Sequence, residues 1–155
     1  MATKQVIFKL GEEEYGMDIT LVNAIENYTG VVPIPNAPAH ILGILNLRGE
    51  VIPVYSLRKK FGMSETAATD NTQLLITRTA DTAIGYKVDS VSEIMEVADS
   101  EFQGIPVIVK NEDTGYALGV ANKKNRMIVL LDNANILNAQ ENEAVKRVSA
   151  DATSK

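Results

Sequence analysis

The feature that most restricts this chain is that it nearly repeats itself. Gly16, Ile19, Val22 and Ile25 have counterparts in Gly85, Val88, Val91 and Ile94, each pair 69 positions apart. Further on, Gly43, Ile44, Asn46, Arg48, Ile52 and Val54 line up with Gly119, Val120, Asn122, Lys124, Ile128 and Leu130, each pair 76 apart. Seven extra residues in the middle of the second half account for the change of offset. Apolar matches alone are cheap, but two ordered sets at constant offset, each with glycine on glycine, mark an internal duplication. The period is too long for a solenoid repeat and points to two similar subdomains. Each half holds several short strand signals broken by Gly and Pro, which predicts an all-β chain of two small antiparallel barrels or sandwiches. A barrel of five strands has little core of its own, so the two halves are expected to pack against each other.

Local signals fill in this frame. Residues 5–10 form a strand, 11–14 a turn and 15–18 a second short strand. From Ile19 the apolar residues recur every third position behind an N-cap at Asp18, predicting one or two helical turns over 19–26. Pro33, Pro35 and Pro38 force an extended passage. Residues 41–47, 51–55 and 57–61 supply further strands or turns, and 64–72 read as a linker or exposed loop. Glu141 opens a frayed helix within a polar tail, 138–155.

The composition narrows the function. A chain of 155 residues, 45% of them apolar, suits one domain or two very small ones. Lys and Arg number 15 against 20 Asp and Glu, a net charge of −5. That balance opposes nonspecific nucleic-acid binding, which needs clustered cations, and leaves no polybasic membrane patch. With no cysteine there is no disulfide, thiol catalysis or Cys-based metal site. The start of the chain reads without a secretory leader and no apolar run is long enough to span a bilayer, so a cytoplasmic location is expected. The sequon at Asn27 is then a chance match.

Catalytic patterns are missing. His40 is the single histidine, and its place after Pro38 suits an exposed or locally bonded residue better than the base of a hydrolase. Glu12, Glu13 and Glu14 decorate a hairpin tip. No Gly-rich nucleotide loop, EF-hand spacing or serine-nucleophile context occurs, so no cofactor or metal is expected. The five tyrosines read as core with the hydroxyl at the rim. A binding module fits better than an enzyme. A small-ligand sensor using the groove between the halves is the alternative.

Four stretches carry a family resemblance: GEEEYGMDI, VVPIPNAPAHILGILNLRGEVIPVYSLRKKFG, GYKVDSVSEIMEV and RMIVLLDNANIL. Together they resemble the CheW family of chemotaxis coupling proteins from about Val6 to Leu137. The resemblance implies two intertwined five-stranded SH3-like barrels, roughly 15–70 and 80–137, with strand 5–10 completing the second. It also implies a cytoplasmic, non-enzymatic scaffold joining the regulatory domain of the histidine kinase CheA to the tips of methyl-accepting chemoreceptors. Other CheW-like domains are further partners, in alternating rings at the membrane receptor array.

The partner-binding residues follow from the same resemblance. Gly43, Asn46, Leu47, Arg48 and Gly49 belong to the family's Gly-x-x-Asn-Leu-Arg-Gly motif. Gly49 also suits a turn needing positive φ. Apolar Leu47 beside Arg48 has the composition of an interface anchor. The receptor groove is expected near Val22 and Ile25 and their repeat Val91 and Ile94, with Ile19 and Val88 in the core. Two positions depart from the family pattern: Ala24 stands where an acidic residue is usual, with Glu26 nearby, and Ser56 stands for the usual Asp.

Overall fold

A computed structural model describes residues 2–35, 37, 40–78, 83–104, 116–133, 136–137, 141, 143 and 145–147. Pro38 lies outside them, as do 105–115 in the longer middle of the second half. The architecture is all-β. In chain order the strands are β1 (Ala2–Leu10), β2 (Glu13–Asp18), β3 (Val22–Asn27), β4 (Val32–Pro33), β5 (Ile41–Leu47) and β6 (Glu50–Ser56). After a one-turn helix α1 (Leu57–Lys60) come β7 (Gln73–Arg78), β8 (Ala83–Val88), β9 (Ser90–Ala98), β10 (Phe102–Gly104), β11 (Ala117–Lys123) and β12 (Arg126–Leu131).

The strands form two six-stranded sheets. Sheet I runs β3-β7-β8-β6-β5-β4 and sheet II runs β9-β1-β2-β12-β11-β10. The two orders are the same once each strand is matched to the one six places on. The registers agree as well. Ile7 faces Gly16 as Ile76 faces Gly85, and Gly16 pairs with Leu130 as Gly85 pairs with Val54. The bulge between Val22 and Ala24 recurs where β9 meets Ile7 and Phe8. The duplication is therefore structural, and its offsets of 69 and 76 trace equivalent places.

Each repeat lends its first hairpin to the other. Strands β1 and β2 sit in sheet II, with β9–β12, while β7 and β8 sit in sheet I, with β3–β6. The joints are the two parallel pairs, β2 with β12 and β6 with β8. Sheet I is thus built from residues 22–88 and sheet II from 2–18 and 90–131, where the sequence reading divides the chain at 70–80. The short edge strands β4 and β10, of two and three residues, are the sixth member of each sheet beyond the five of the sequence reading.

Three apolar clusters hold this together. Ile7, Met95, Val97, Ala121, Ile128 and Leu130 fill sheet II. Leu45, Ile52, Val54, Leu74, Ile76 and Ala83 fill sheet I. The largest lies between the sheets, where Val6, Phe8, Met17 and Leu131 meet Tyr55, Leu75, Ile84 and Tyr86. Each fully buried aliphatic or aromatic side chain there contributes about 1.5–3 kcal/mol. Strand β8 is buried at every residue because it is central in its sheet and covered on both faces.

Three expectations change. The helix over 19–26 is a single 3-10 turn, Ile19–Leu21, after which β3 begins. Asp18 does cap it, accepting from the Thr20 amide at 2.9 Å. The β-branched Val22 and Ile25 then favour an extended chain pairing with β7, and β9 repeats this in the second half. Second, the linker is not merely exposed: Ser56 Oγ donates to Glu65 at 2.5 Å, and buried Lys87 pairs with the same carboxylate. Third, the described part of the tail, residues 141, 143 and 145–147, returns to the core, while 148–155 lie outside the described residues. Glu141 and Val145 are buried, and Glu141 accepts from the Tyr55 hydroxyl and from Lys60 Nζ, the latter at 2.7 Å. Polar residues flank these two, so the segment reads as solvated unless the two inward positions are singled out.

Candidate partner-binding site

The tip of the β5–β6 hairpin is a two-residue turn, Leu47 pairing with Glu50 across Arg48 and Gly49. Arg48 has φ 52° and Gly49 φ 86°. Positive φ at both central residues is the signature of a type I′ turn, whose twist matches that of the strands. Asn46 Oδ1 accepts from the Gly49 amide at 3.0 Å, which locks the turn from one side. The second repeat builds the same tip, with Lys124 and Asn125 at φ 53° and 63°.

Gly49 suits its conformation, but Arg48 does not: a residue with a Cβ is strained in the left-handed region. Its side chain is 78% exposed and reaches Glu26 Oε2 only at 3.8 Å. An exposed ion pair of that length adds little stability. The tip thus holds a cation aimed at solvent on a rigid, locally strained turn. The Glu26 contact also bears on the Ala24 departure: residues 24 and 26 share a face of β3, so the strand still presents a carboxylate toward Arg48.

The other expected positions fall into different places. Leu47 is half-buried against the core of sheet I. Gly43 lies within β5 under β4, where an added Cβ would sit 2.2 Å from the Val32 carbonyl oxygen; the glycine permits the close approach of the edge strand. Val22 and Val91 are half-buried against the central core. Ile25 and Ile94 are exposed, on β3 and β9, the edge strands of different sheets. The structure therefore gathers Asn46, Arg48, Gly49 and Glu26 at one tip, and Val22 with Val91 at the central core.

Sequence reasoning missed several groups. Ser56 caps α1, accepting from the Lys59 amide at 3.1 Å, and its hydroxyl donates a hydrogen bond to Glu65. The carboxylate that the family pattern expects at 56 is thus supplied from the linker. Arg58 grips Asp89, where the chain passes from sheet I to sheet II. Nothing in the local sequence announces these pairs, which join residues 9 and 31 positions apart. Among the described residues there is no group of three His, Asp or Glu able to hold a metal ion. No helix among them is long and apolar enough to cross a membrane.

Comparison with known proteins agrees with this architecture. The chain is 32% identical over 139 residues to chemotaxis protein CheW of Rhizobium meliloti, covering 90% of both. It is 33% identical over 144 residues to chemotaxis protein CheW of Klebsiella aerogenes, covering 93% of this chain and 87% of the relative. Scaffolding protein TtCheW from Thermoanaerobacter tengcongensis shares the fold at a TM-score of 0.80 and 30% identity over 91% of each chain. The CheW-like domain family matches residues 4–141, and the chain, with its duplicated sheets and its Asn-Leu-Arg-Gly tip, belongs to that family.

Proposed function

We propose that this protein is a non-enzymatic chemotaxis adaptor in the cytoplasm, coupling the histidine kinase CheA to the cytoplasmic tips of methyl-accepting chemoreceptors. The family supports the adaptor role. The observation that carries the reading is Arg48, strained at positive φ and turned out to solvent on an otherwise well-formed turn. A cation kept in that state adds little to stability through its exposed pair with Glu26, whereas interfaces use arginine as an anchor. Asn46 and Gly49 shape the tip, Leu47 packs behind it and Gly43 lets β4 close on β5. Ile25 on β3 and Ile94 on β9 offer exposed apolar contacts, and Val22 and Val91 lie behind them. Signal transfer is then a shift in how receptor and kinase sit on the scaffold.

Pull-down with a chemoreceptor cytoplasmic tip and with the kinase regulatory domain tests the reading. Binding of both is expected; binding of neither overturns it. Arg48→Glu should reduce receptor-dependent kinase activation with an unchanged circular dichroism spectrum. Full activation by that variant removes the role given to Arg48.

A further inference from the structure

Lys87 is the odd residue of β8. The strand is buried along its whole length, Lys87 itself is 7% exposed, and a buried ammonium is costly unless it is paired. Its partner comes from the linker. One carboxylate oxygen of Glu65 accepts from Lys87 Nζ and the other from Ser56 Oγ at 2.5 Å. Ser56 stands opposite Lys87 in the parallel pair of β6 with β8, so the sheet, and not the linker, sets the two donors side by side. The Tyr28 ring lies 4.9 Å from the ammonium. Lys87 and Ser56 thus form a carboxylate site built into sheet I, and the protein occupies it with its own Glu65.

The way the linker is tied makes that carboxylate removable. Both ends of 64–70 are fixed. At the first, the Met63 amide donates to the Arg58 carbonyl at 2.7 Å and Arg58 Nη1 to the Ser64 carbonyl at 3.0 Å. At the second, the Thr69 amide donates to Thr72 Oγ1 at 2.8 Å and the Thr72 amide to the Thr69 carbonyl at 3.2 Å. Between them the contacts converge on Lys87, which holds Glu65 and also donates to the Thr66 carbonyl at 2.9 Å. Glu65 is the one residue of 64–70 that is not exposed, and Ala67 and Ala68 both face solvent. A stretch with fixed ends and a single polar catch opens locally, without unfolding of the sheet beneath it. Opening leaves Lys87 uncompensated, because the neighbouring Arg58 is already paired with Asp89. A buried ion pair adds little stability over apolar residues of the same size, so stability alone does not account for a lysine in this strand.

We propose that Glu65 is a displaceable internal ligand: the strap 64–70 opens as a lid, and Lys87 with Ser56 Oγ then takes a carboxylate from an acidic segment of a partner protein. The Glu65 contact is autoinhibitory, since a tethered carboxylate competes at high effective concentration, and the uncompensated ammonium selects an acidic partner over a neutral one. The site is separate from the Arg48 tip and does not depend on the role given to that tip.

The full chain, isotope-labelled, is titrated by NMR as wild type and as Glu65→Ala with the blocked peptides acetyl-Ala-Glu-Ala-amide and acetyl-Ala-Gln-Ala-amide. In Glu65→Ala the glutamate peptide should give saturable shifts at Tyr28, Ser56 and Lys87, with the glutamine peptide at least about tenfold weaker. Wild type should bind the glutamate peptide at least about tenfold more weakly than Glu65→Ala does, and Lys87→Met in the Glu65→Ala background should remove the preference for glutamate. Wild type alone supplies a second measurement: reductive methylation of Lys87 Nζ, followed by mass spectrometry, should proceed with little dependence on denaturant, whereas amide exchange in β8 follows global unfolding. No saturable shift at millimolar peptide, equal binding of both peptides by Glu65→Ala, equal affinity in wild type, a glutamate preference that survives Lys87→Met, or methylation of Lys87 only as fast as β8 exchanges overturns the proposal.

Discussion

Arg58 holds Asp89 through a two-pronged ion pair, Nε to Oδ1 at 2.8 Å with Nη2 on the second oxygen. Asp89 also accepts from the Gly11 amide at 2.7 Å, and its own amide donates to the Lys9 carbonyl at 3.0 Å. One carboxylate thus ties α1, the β8–β9 crossing and the β1–β2 turn, joining both sheets at a point where the chain passes between them.

Replacing Asp89 by Asn should cost about 1–2 kcal/mol, since a charge-assisted pair is lost in a half-buried place. The Arg58 guanidinium holds the Asp89 carboxyl below its ordinary value of 3.8. A carboxyl with a depressed value in the folded state stabilises above its unfolded value and loses that contribution as pH falls through the folded one. The gap in melting temperature between wild type and Asp89→Asn should therefore be constant at neutral pH and close below about pH 4. A gap that is unchanged down to pH 2 contradicts this.

Arg48→Gly separates strain from function. Glycine adopts φ 52° without penalty, so the variant should be as stable as wild type or more so, by up to about 1 kcal/mol. Kinase activation should nonetheless fall. Denaturant unfolding and a coupled phosphorylation assay measure the two; lost stability with intact coupling assigns Arg48 a structural role instead.

Gly43→Ala and Gly119→Ala should each destabilise by about 1–3 kcal/mol, because the new Cβ would sit 2.2 and 2.3 Å from the carbonyl oxygens of Val32 and Gln103. Gly104→Ala is the control: nothing lies within 4 Å of its added Cβ. Equal midpoints for all three variants would sink the account of the edge strands.

Glu65→Ala leaves Lys87, 7% exposed, without its carboxylate. Breaking a buried pair from one side costs about 3 kcal/mol, and Lys87→Met in the same background should recover a good part of it. Amide exchange across 64–69 should quicken in Glu65→Ala; unaltered protection there argues that the linker is held by other means.

Glu141→Ala strips the Tyr55 hydroxyl and Lys60 of their shared acceptor. Burial, followed by the neighbouring Glu141 carboxylate, pushes the Tyr55 hydroxyl far above its ordinary range, so it stays a donor throughout the working pH range. The loss should be about 2–4 kcal/mol, with new proteolytic sensitivity near residues 141–147. A fully stable variant would mean that the apolar contacts of Ile136, Leu137 and Val145 secure the segment without Glu141.

Much of this was readable from residue order. The glycine pairs 16 and 85, and 43 and 119, with apolar residues at constant offset, disclose the duplication because a repeated backbone needs the same close approaches and the same inward positions. The Asn46–Gly49 turn was legible for a similar reason: its chemistry is local. The short helix assigned to 19–26 failed because a period of three over so few residues cannot be told from a bulged strand once β7 supplies hydrogen bonds. Val22 and Ile25 look alike in sequence, yet one packs against the central core and the other is exposed, a difference that only the strand's place in the sheet decides.

Residue order alone determined that the chain folds twice into the same β motif and carries a cationic turn. Only the tertiary structure decided that the repeats trade hairpins and that Glu65 and Glu141, distant in sequence, are drawn to the neighbouring residues Ser56 and Tyr55. The division has a physical cause: propensity and turn geometry act between near neighbours, whereas strand exchange and buried charge pairs depend on groups 22 to 86 positions apart meeting in space.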